Sequence, residues 1–534
     1  MEKFMNLYKV PLSVAGIQWY VTTIFQVDRF FFQYDAGLDT YLYRAVKIFY
    51  LFFLMAAWCF GFHTVRKYRE NHQAYKRGVH VFTICLILLL ILLLILWPGT
   101  WSWDDLGLIQ EKLVYYQWDP WQHILTSIFQ MILFQILPFP GGMVLIQNVM
   151  IAVCVAFCVV KLENSFDIYF LKYEWLDLLI KFIPFFLPPV LMYQFSGYRM
   201  GLYVYLELTM LCMLIAALKQ KKEWSISYIC FFCFLCAVVS SWRTESFLYI
   251  PVVCILIFWL KNAMTRKKMI FTSCFLLLIF FGIRYVQNTA LGNSNYEIMS
   301  TLRPLTELVR VSDAEKDQEC LEIINKVIDL NMVYENPQMN GEGLYWNNVT
   351  RPDYTKEDYR EYLKAFMKLS IKYPKTVIKE RLNLFADCIG MHGQEKMVTN
   401  VFTVHLFDDA DPNTRAGVFQ NMDWVANKPV FPELRKSFLY FLGQISSNDT
   451  EYMTFHLVWN GFLPMAIFLI AWGLLMVRKK WGWFMLGLPI FLKIIIIILT
   501  QPAAFSMYLL SIYLIGYVIM VYGILYLIKQ HFNI

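Results

Sequence analysis

The chain has 534 residues, 58% of them hydrophobic and 16% charged, with a formal net charge of +7. A single soluble core has no room for that much apolar surface, so the composition specifies a polytopic membrane protein and excludes a soluble enzyme. The basic residues sit in short loops between apolar runs, which is the positive-inside pattern and not a nucleic-acid footprint.

A spanning helix needs about 20 apolar residues, fewer where it is tightly packed. In chain order the runs that qualify are 10–27, 45–64, 80–97, 141–160, 177–193, 199–217, 226–241, 246–260, 269–287, 456–477, 482–499 and 505–527. The first contains Gln18 and Gln26 and is followed by Asp28 and Arg29. No signal-peptide cleavage pattern precedes it, so it is expected to act as an uncleaved anchor. The predicted class is therefore an all-α polytopic membrane protein with about twelve transmembrane helices.

Lys and Arg set the orientation. Arg66, Lys67, Arg69, Lys76 and Arg77 follow the second run, and Lys219, Lys221 and Lys222 follow the sixth. Lys261, Arg266, Lys267 and Lys268 follow the eighth, and Arg478, Lys479 and Lys480 the tenth. All four loops are expected on the cytoplasmic side, with both termini inside. This requirement decides residues 121–137, "WQHILTSIFQMILFQIL". Were they to cross, the 219–222 loop would fall outside. Read as a helix lying in the outer interface, with Gln122, His123, Gln130 and Gln135 as its polar residues, they leave every basic loop inside.

The resulting plan has N-terminal transmembrane helices at 1–97, a first external loop with its interfacial helix at 98–140, a transmembrane core at 141–287, an extracytoplasmic helical domain at 288–455 and C-terminal transmembrane helices at 456–534. Within the large polar segment an amphipathic helix is expected at 313–330, with Cys320, Leu321, Ile324, Val327 and Ile328 on one face. Another is expected at 355–371, opened by Thr355 and Asp358, and a third restarts after Pro374 and ends at Gly390 and Gly393. Of twelve cysteines, ten lie in or beside apolar runs and are expected to behave as small hydrophobes, including Cys230, Cys233 and Cys236 on one helix face.

The first external loop carries the adjacent acids Asp104 and Asp105, then Asp119 and His123, among Trp97, Trp101, Trp103 and Trp118. One reading is capping, since Ser102 and Asp105 match S-x-x-D and acids suit a helix N-terminus. The other is chemical. The topology brings Tyr198 and Arg199, the turn Trp242–Arg243–Glu245, and Gln501 to the same outer face. Arginines hold phosphate oxygens, a carboxylate takes a proton from a hydroxyl, and an acid pair can hold a divalent metal. Arg243 and Glu245 also read as a local ion pair. Tryptophans in such a loop belong to the bilayer interface and can also stack on sugar rings. His392 and His405 with Asp408, Asp409 and Asp411 read as a solvated turn before they read as a metal site.

With these residues in view, the layout resembles the GT-C superfamily of polytopic glycosyltransferases, which includes protein O-mannosyltransferases and aminoarabinose transferases. The resemblance covers roughly residues 80–390. The acid pair would be Asp104 and Asp105, and "WDPWQHIL" stands near the family's His-Pro position, with Asp119-Pro120 in its place and His123 displaced. "YRMGLYVYLELTML" is similar to the polar start of a later span, with Arg199 where many relatives have Lys-Asp. "WRTESFLYIP" is similar to an arginine turn, giving Arg243 and Glu245, and "FMKLSIKYPKTVIKERL" resembles a segment of uncharacterised bacterial multi-pass members. The family's Arg-Tyr pair in the last spans is absent from "PAAFSMYLLSIY", which keeps Tyr508 and Tyr513.

The resemblance implies a plasma-membrane glycosyltransferase that takes a sugar from a polyprenyl-phosphate donor and gives it, with inversion, to an extracytoplasmic acceptor such as a cell-surface polymer, lipid or protein. Asp104 or Asp105 would be the base. Arg243, Glu245, Arg199, Tyr198, Asp119, His123 and Trp103 would bind substrate, and magnesium or manganese could sit on the acid pair. Membrane lipids are implied partners and nucleic acid is not. Three rivals share the multi-pass plan. A transporter or flippase would use mid-span polar residues such as Glu207 or Lys493. A polysaccharide polymerase or ligase would use arginines and a histidine of the large outer loop, and a scaffold would have no chemistry.

Overall fold

The computed structural model describes residues 2–24, 38–101, 123–169, 174–220, 223–291, 295–392, 428–442 and 458–532. In chain order its helices are α1 (Glu2–Ile24), α2 (Leu38–Arg69), α3 (Gln73–Leu96), α4 (Ile124–Ile136), α5 (Pro140–Phe166), α6 (Glu174–Phe182), α7 (Pro188–Gln194), α8 (Arg199–Lys219), α9 (Ile226–Trp242), α10 (Tyr249–Leu256) and α11 (Arg266–Leu291). There follow α12 (Met299–Val311), α13 (Gln318–Asn325), α14 (Leu330–Glu335), α15 (Gly341–Trp346), α16 (Lys356–Lys372), α17 (Pro374–Ile389), α18 (Pro432–Leu442), α19 (Phe462–Val477), α20 (Trp481–Thr500) and α21 (Leu510–Phe532). Among the described residues there is no strand, and Ile328 and Thr350 form one isolated antiparallel bridge.

Among the described residues, seven stretches are long and apolar enough to cross a membrane: Arg44–Arg69 in α2, α3, α5, α8, Arg266–Ala290 in α11, α20, and Ser506–His531 containing α21. The protein is an all-α membrane protein. Residues expected to form one straight span at 177–193 instead form two pieces bent by 75°. The break falls where Pro184, Pro188 and Pro189 withhold backbone donors and clash with the preceding turn. Shorter apolar helices occur at α4, α9, Thr244–Trp259 and α19. The first expected span becomes α1, a continuous helix with Pro11 inside it.

The chain divides into two compact units, residues 1–292 with 400–490 and 510–534, and residues 293–399 with 491–509. In the first unit α3 packs on α5, α5 on α8, α9 on α11, α1 on α2, and α19 on α21. The hub is α8: 83% of its apolar stretch is buried, against 17% for the one in α2. The hub's residues follow from this. A buried helix is apolar all round, and α8 carries Met200, Leu202, Val204, Leu208, Leu211 and Leu214 on every side.

The second unit has its own core, in which Leu302, Leu305 and Leu308 of α12 meet Cys320, Ile324, Val327, Ile328, Leu344, Tyr362, Ala365 and Leu369. The helix expected at 313–330 is confined to α13. Asn325 stops it, because its side-chain oxygen accepts the amide of Leu330 (3.2 Å) and a guanidinium N–H of Arg351 (3.1 Å). Val327 and Ile328 stay buried, but on a turn. α16 begins at the expected box, with Thr355 and Asp358 capping each other reciprocally. α17 begins at Pro374 and ends at Gly390, whose φ of 82° is the left-handed cap that glycine favours. Arg381 of α17 donates to the carbonyl of Gln501 (2.8 Å), the residue that follows α20, and also to that of Ser300.

Candidate functional site

The site is built around the turn that joins α7 to α8. Thr100 closes onto this turn, its amide donating to Phe195 O (2.8 Å) and its hydroxyl to Met192 O (2.5 Å). Trp101 is fully buried, with Nε1 donating to Pro98 O (3.0 Å). Its ring occupies the space a side chain at Gly197 would need, so residue 197 must be glycine for the two segments to meet. Gln147 of α5 donates to Gln194 O (2.9 Å) and Ser196 O (2.8 Å), Tyr205 donates to Gln194 Oε1 (2.6 Å), and Gln130 of α4 donates to Gly197 O (3.1 Å). A buried turn must satisfy its backbone carbonyls, and here Thr100 and side chains from α4 and α5 do so, while Tyr205 of α8 holds the Gln194 side chain.

The turn fixes Tyr198 as the N-cap residue of α8 and Arg199 as its first residue. The Arg199 guanidinium stands 5.9 Å from the centre of the Tyr198 ring. His123 caps α4: its Nδ1 accepts the amide of Leu125 (3.2 Å), which leaves the proton of the neutral ring on Nε2. Burial first, then the cations Arg284 and Arg199, push the His123 pKa down to about 4, so the ring is neutral at physiological pH. Gln287, one turn beyond Arg284 on α11, accepts the amide of Ile124 (2.7 Å) and ties α4 to α11.

The remaining side of the site is the end of α9. Trp242 packs edge-on against Phe129 of α4 at 5.4 Å between ring centres. Arg243 pairs with Glu245 at 2.7 Å, both buried. The turn Thr244–Leu248 is pinned to α8, since Tyr203 shares a hydrogen with Ser246 (2.5 Å) and Tyr249 donates to Glu207 Oε1 (2.6 Å). On α4 with its cap, and on α9, His123 Nε2, Thr126 Oγ1, Ser127 Oγ, Ser241 Oγ and Trp242 Nε1 are buried and make no hydrogen bond among the described residues. Such groups are rare in interiors and suit a polar ligand.

Of the expected site residues, the structure brings His123 and Arg199 into electrostatic contact and joins Arg243 to Glu245. Asp104, Asp105, Trp103 and Asp119 lie outside the described residues, as do His405, Asp408, Asp409, Asp411 and Gly393. His392 hydrogen-bonds Asp387 (2.7 Å). Neither His123, beside two guanidiniums, nor Glu245, paired with Arg243, suits a divalent cation, and among the described residues no metal-ligating group of three exists. Arg284 and Gln287 were not anticipated. The signal was a guanidinium placed four residues from the end of an apolar run. Compared with protein-family models, with curated proteins and with solved structures, the chain matches none.

A second charged cluster, also unanticipated, lies elsewhere in the first unit. Glu163 accepts Arg77 through both oxygens (2.7 and 3.1 Å) and Lys181 (2.7 Å). Asp177 accepts the same two cations at 3.1 and 2.6 Å, and Lys181 also donates to Ile168 O (2.8 Å). Two acids balance two bases, and Lys181 and Glu163 are fully buried. This is the arrangement of a structural clamp among α3, α5 and α6.

Proposed function

We propose that the chain is a membrane glycosyltransferase of GT-C-like plan, moving a sugar from a polyprenyl phosphate to an acceptor outside the plasma membrane. The observation that carries this reading is a buried, neutral His123 in the field of Arg284 and Arg199, with buried polar groups on α4 and α9. Two guanidiniums and an Nε2–H donor suit a phosphate or pyrophosphate group, and serine, threonine and indole donors suit a sugar. In the sequence Asp104 follows the buried Trp101 by three residues. In this reading α4 is the interfacial helix. The seven long spans, the bent α6–α7 pair, α1, α9, Thr244–Trp259 and α19 together make about twelve crossings.

In the reaction, a carboxylate of Asp104 or Asp105 takes the proton of an acceptor hydroxyl. The hydroxyl oxygen forms the new bond to the anomeric carbon from the face opposite the phosphate. The carbon–oxygen bond to the phosphate breaks, and the lipid phosphate leaves with the bonding pair, its charge held by guanidinium and imidazole N–H groups. A single displacement inverts the anomeric centre. Transport is less well supported, because Glu207 is held by Tyr249. A ligase built on outer-loop arginines is also less well supported. Arg303, Arg310, Arg351 and Arg381 are each engaged in bonds inside their own unit.

The test reconstitutes the purified protein in liposomes with a panel of radiolabelled polyprenyl-phosphate sugars and an envelope extract as acceptor, and follows release of the lipid phosphate. Release by the wild type, lost in Asp104→Asn with Asp105→Asn and weakened in Arg199→Gln, supports the reading. Full activity in both acid variants removes the assigned base, and no donor bound or consumed across the panel removes the function.

A further inference from the structure

We infer that the successive helices α16 and α17 dock on the surface of a bilayer carrying anionic phospholipids. This goes beyond the transferase reading and does not depend on it. The core-facing residues of α16 are Tyr362, Ala365 and Leu369. A second apolar row runs at four-residue spacing along Leu363, Met367 and Ile371, and Ile371 is 74% exposed. With Lys364 and Lys368 this row lines a shallow groove. α17 repeats the pattern, with Ile378 and Leu382 exposed at the same spacing. Residues spaced by four on a helix form one stripe, and a stripe of large apolar side chains edged by lysines is the signature of a helix lying in a membrane interface.

The charge selects the partner. Residues 362–379, "YLKAFMKLSIKYPKTVIK", carry five lysines and no acid. Lys364, Lys368 and Lys372 each reach an acid outside that segment, Glu361, Glu319 and Asp317, while their stems remain beside the apolar row. Lysine stems cover apolar surface while the ammonium stays in the headgroup layer, where anionic lipids attract it. The position of α17 fits as well. Inside the second unit, Arg381 donates to the carbonyl of Gln501, directly after the membrane-length helix α20, and Cys388 donates to Phe505 O (3.0 Å). These bonds tie α17 to the end of α20. A helix tied there, with exposed isoleucine and leucine flanked by lysine, is placed to meet lipid.

The experiment uses the full chain, one copy per nanodisc, with an environment-sensitive fluorescent amino acid in place of Ile371. In nanodiscs containing phosphatidylglycerol, lipids spin-labelled near the headgroup are expected to quench this probe. The same probe in place of the exposed Arg360 should stay accessible to aqueous iodide. Reversing Lys375→Glu and Lys379→Glu, whose exposed side chains lie next to the α17 row, should lower docking by at least about tenfold in anionic discs. Met367→Glu should do the same without altering a lysine. Circular dichroism checks that each variant is folded. A probe at 371 that iodide quenches and lipid does not overturns the proposal. So does a probe shielded from both, which would mean that protein covers the stripe, as does lipid quenching indifferent to all three substitutions.

Discussion

Tyr249, at the first position of α10, donates its phenolic hydrogen to Glu207 in the middle of α8 at 2.6 Å, and both side chains are buried. The bond ties the turn that bears Arg243 to the hub helix of the first unit. Removing the hydroxyl in Tyr249→Phe leaves the Glu207 carboxyl short of a partner and should destabilise by about 1–3 kcal/mol. Glu207→Gln keeps an oxygen facing Tyr249 and should melt close to wild type and keep activity. Thermal melts of the detergent-purified variants check the first value. A Glu207→Gln protein that melts normally but releases no lipid phosphate would instead give the carboxyl a part in the reaction.

The pair of Arg243 with Glu245 is buried, so breaking it from one side removes the counter-charge that the other faces at 2.7 Å. Arg243→Gln should cost about 3–5 kcal/mol, and adding Glu245→Gln should recover most of that loss. Stability of the two single variants and the double variant, measured as one cycle, decides this. Losses that simply add would mean that the two residues act through other neighbours.

What could be read in advance, and what could not, divides along the range of the interactions. Thr355 with Asp358, Pro374 and Gly390 are local signals, and each fixes a helix end where it was expected. Residues 313–330 have the right periodicity, yet Asn325 ends the helix early by serving Leu330 and Arg351, and the Arg351 contact is tertiary. Hydropathy found residues 177–193 but is blind to the bend that Pro184, Pro188 and Pro189 impose. Tyr198, Arg199, Arg243 and Glu245 could be named because a polar residue at the end of an apolar run stands out. The pair of Arg243 with Glu245, two residues apart, could be read as a local ion pair as well. The approach of Arg284 and Gln287 to α4 depends on which helices are neighbours, and the sequence does not state that.

His123 gives the site a pH signature. Its pKa in the fold is about 4, below the roughly 6.5 of a free imidazole, so between these values the unfolded chain binds a proton that the folded one refuses. The resulting contribution is complete above pH 6.5 and is lost as pH falls, by up to about 3 kcal/mol near pH 4. His123→Asn retains an N-cap acceptor for Leu125 without a titrating ring. The wild type should therefore lose stability relative to His123→Asn as melts are taken from pH 7 to pH 4. Parallel curves would remove the argument that burial and the two guanidiniums keep the ring neutral.

The clamp of Glu163, Lys181, Arg77 and Asp177 should matter for stability and not for chemistry. Glu163, like Asp177, is bound to both cations, and it sits on α5 five residues after the buried Cys158. Glu163→Gln or Lys181→Met removes one charge from a buried, balanced set of four and should destabilise by about 3–5 kcal/mol. Glu70→Gln should leave the melt unchanged, because its pairs with Arg66 and Lys67 are exposed to water. A thiol-reactive dye reads this directly. The buried Cys154 and Cys158 of α5 become reactive only when the helix leaves its neighbours, so labelling should begin at lower temperature in the two clamp variants. If labelling starts at the wild-type temperature in both, the four charges do not hold α3, α5 and α6 together. If release of lipid phosphate falls in variants that melt normally, the cluster has a part in the reaction.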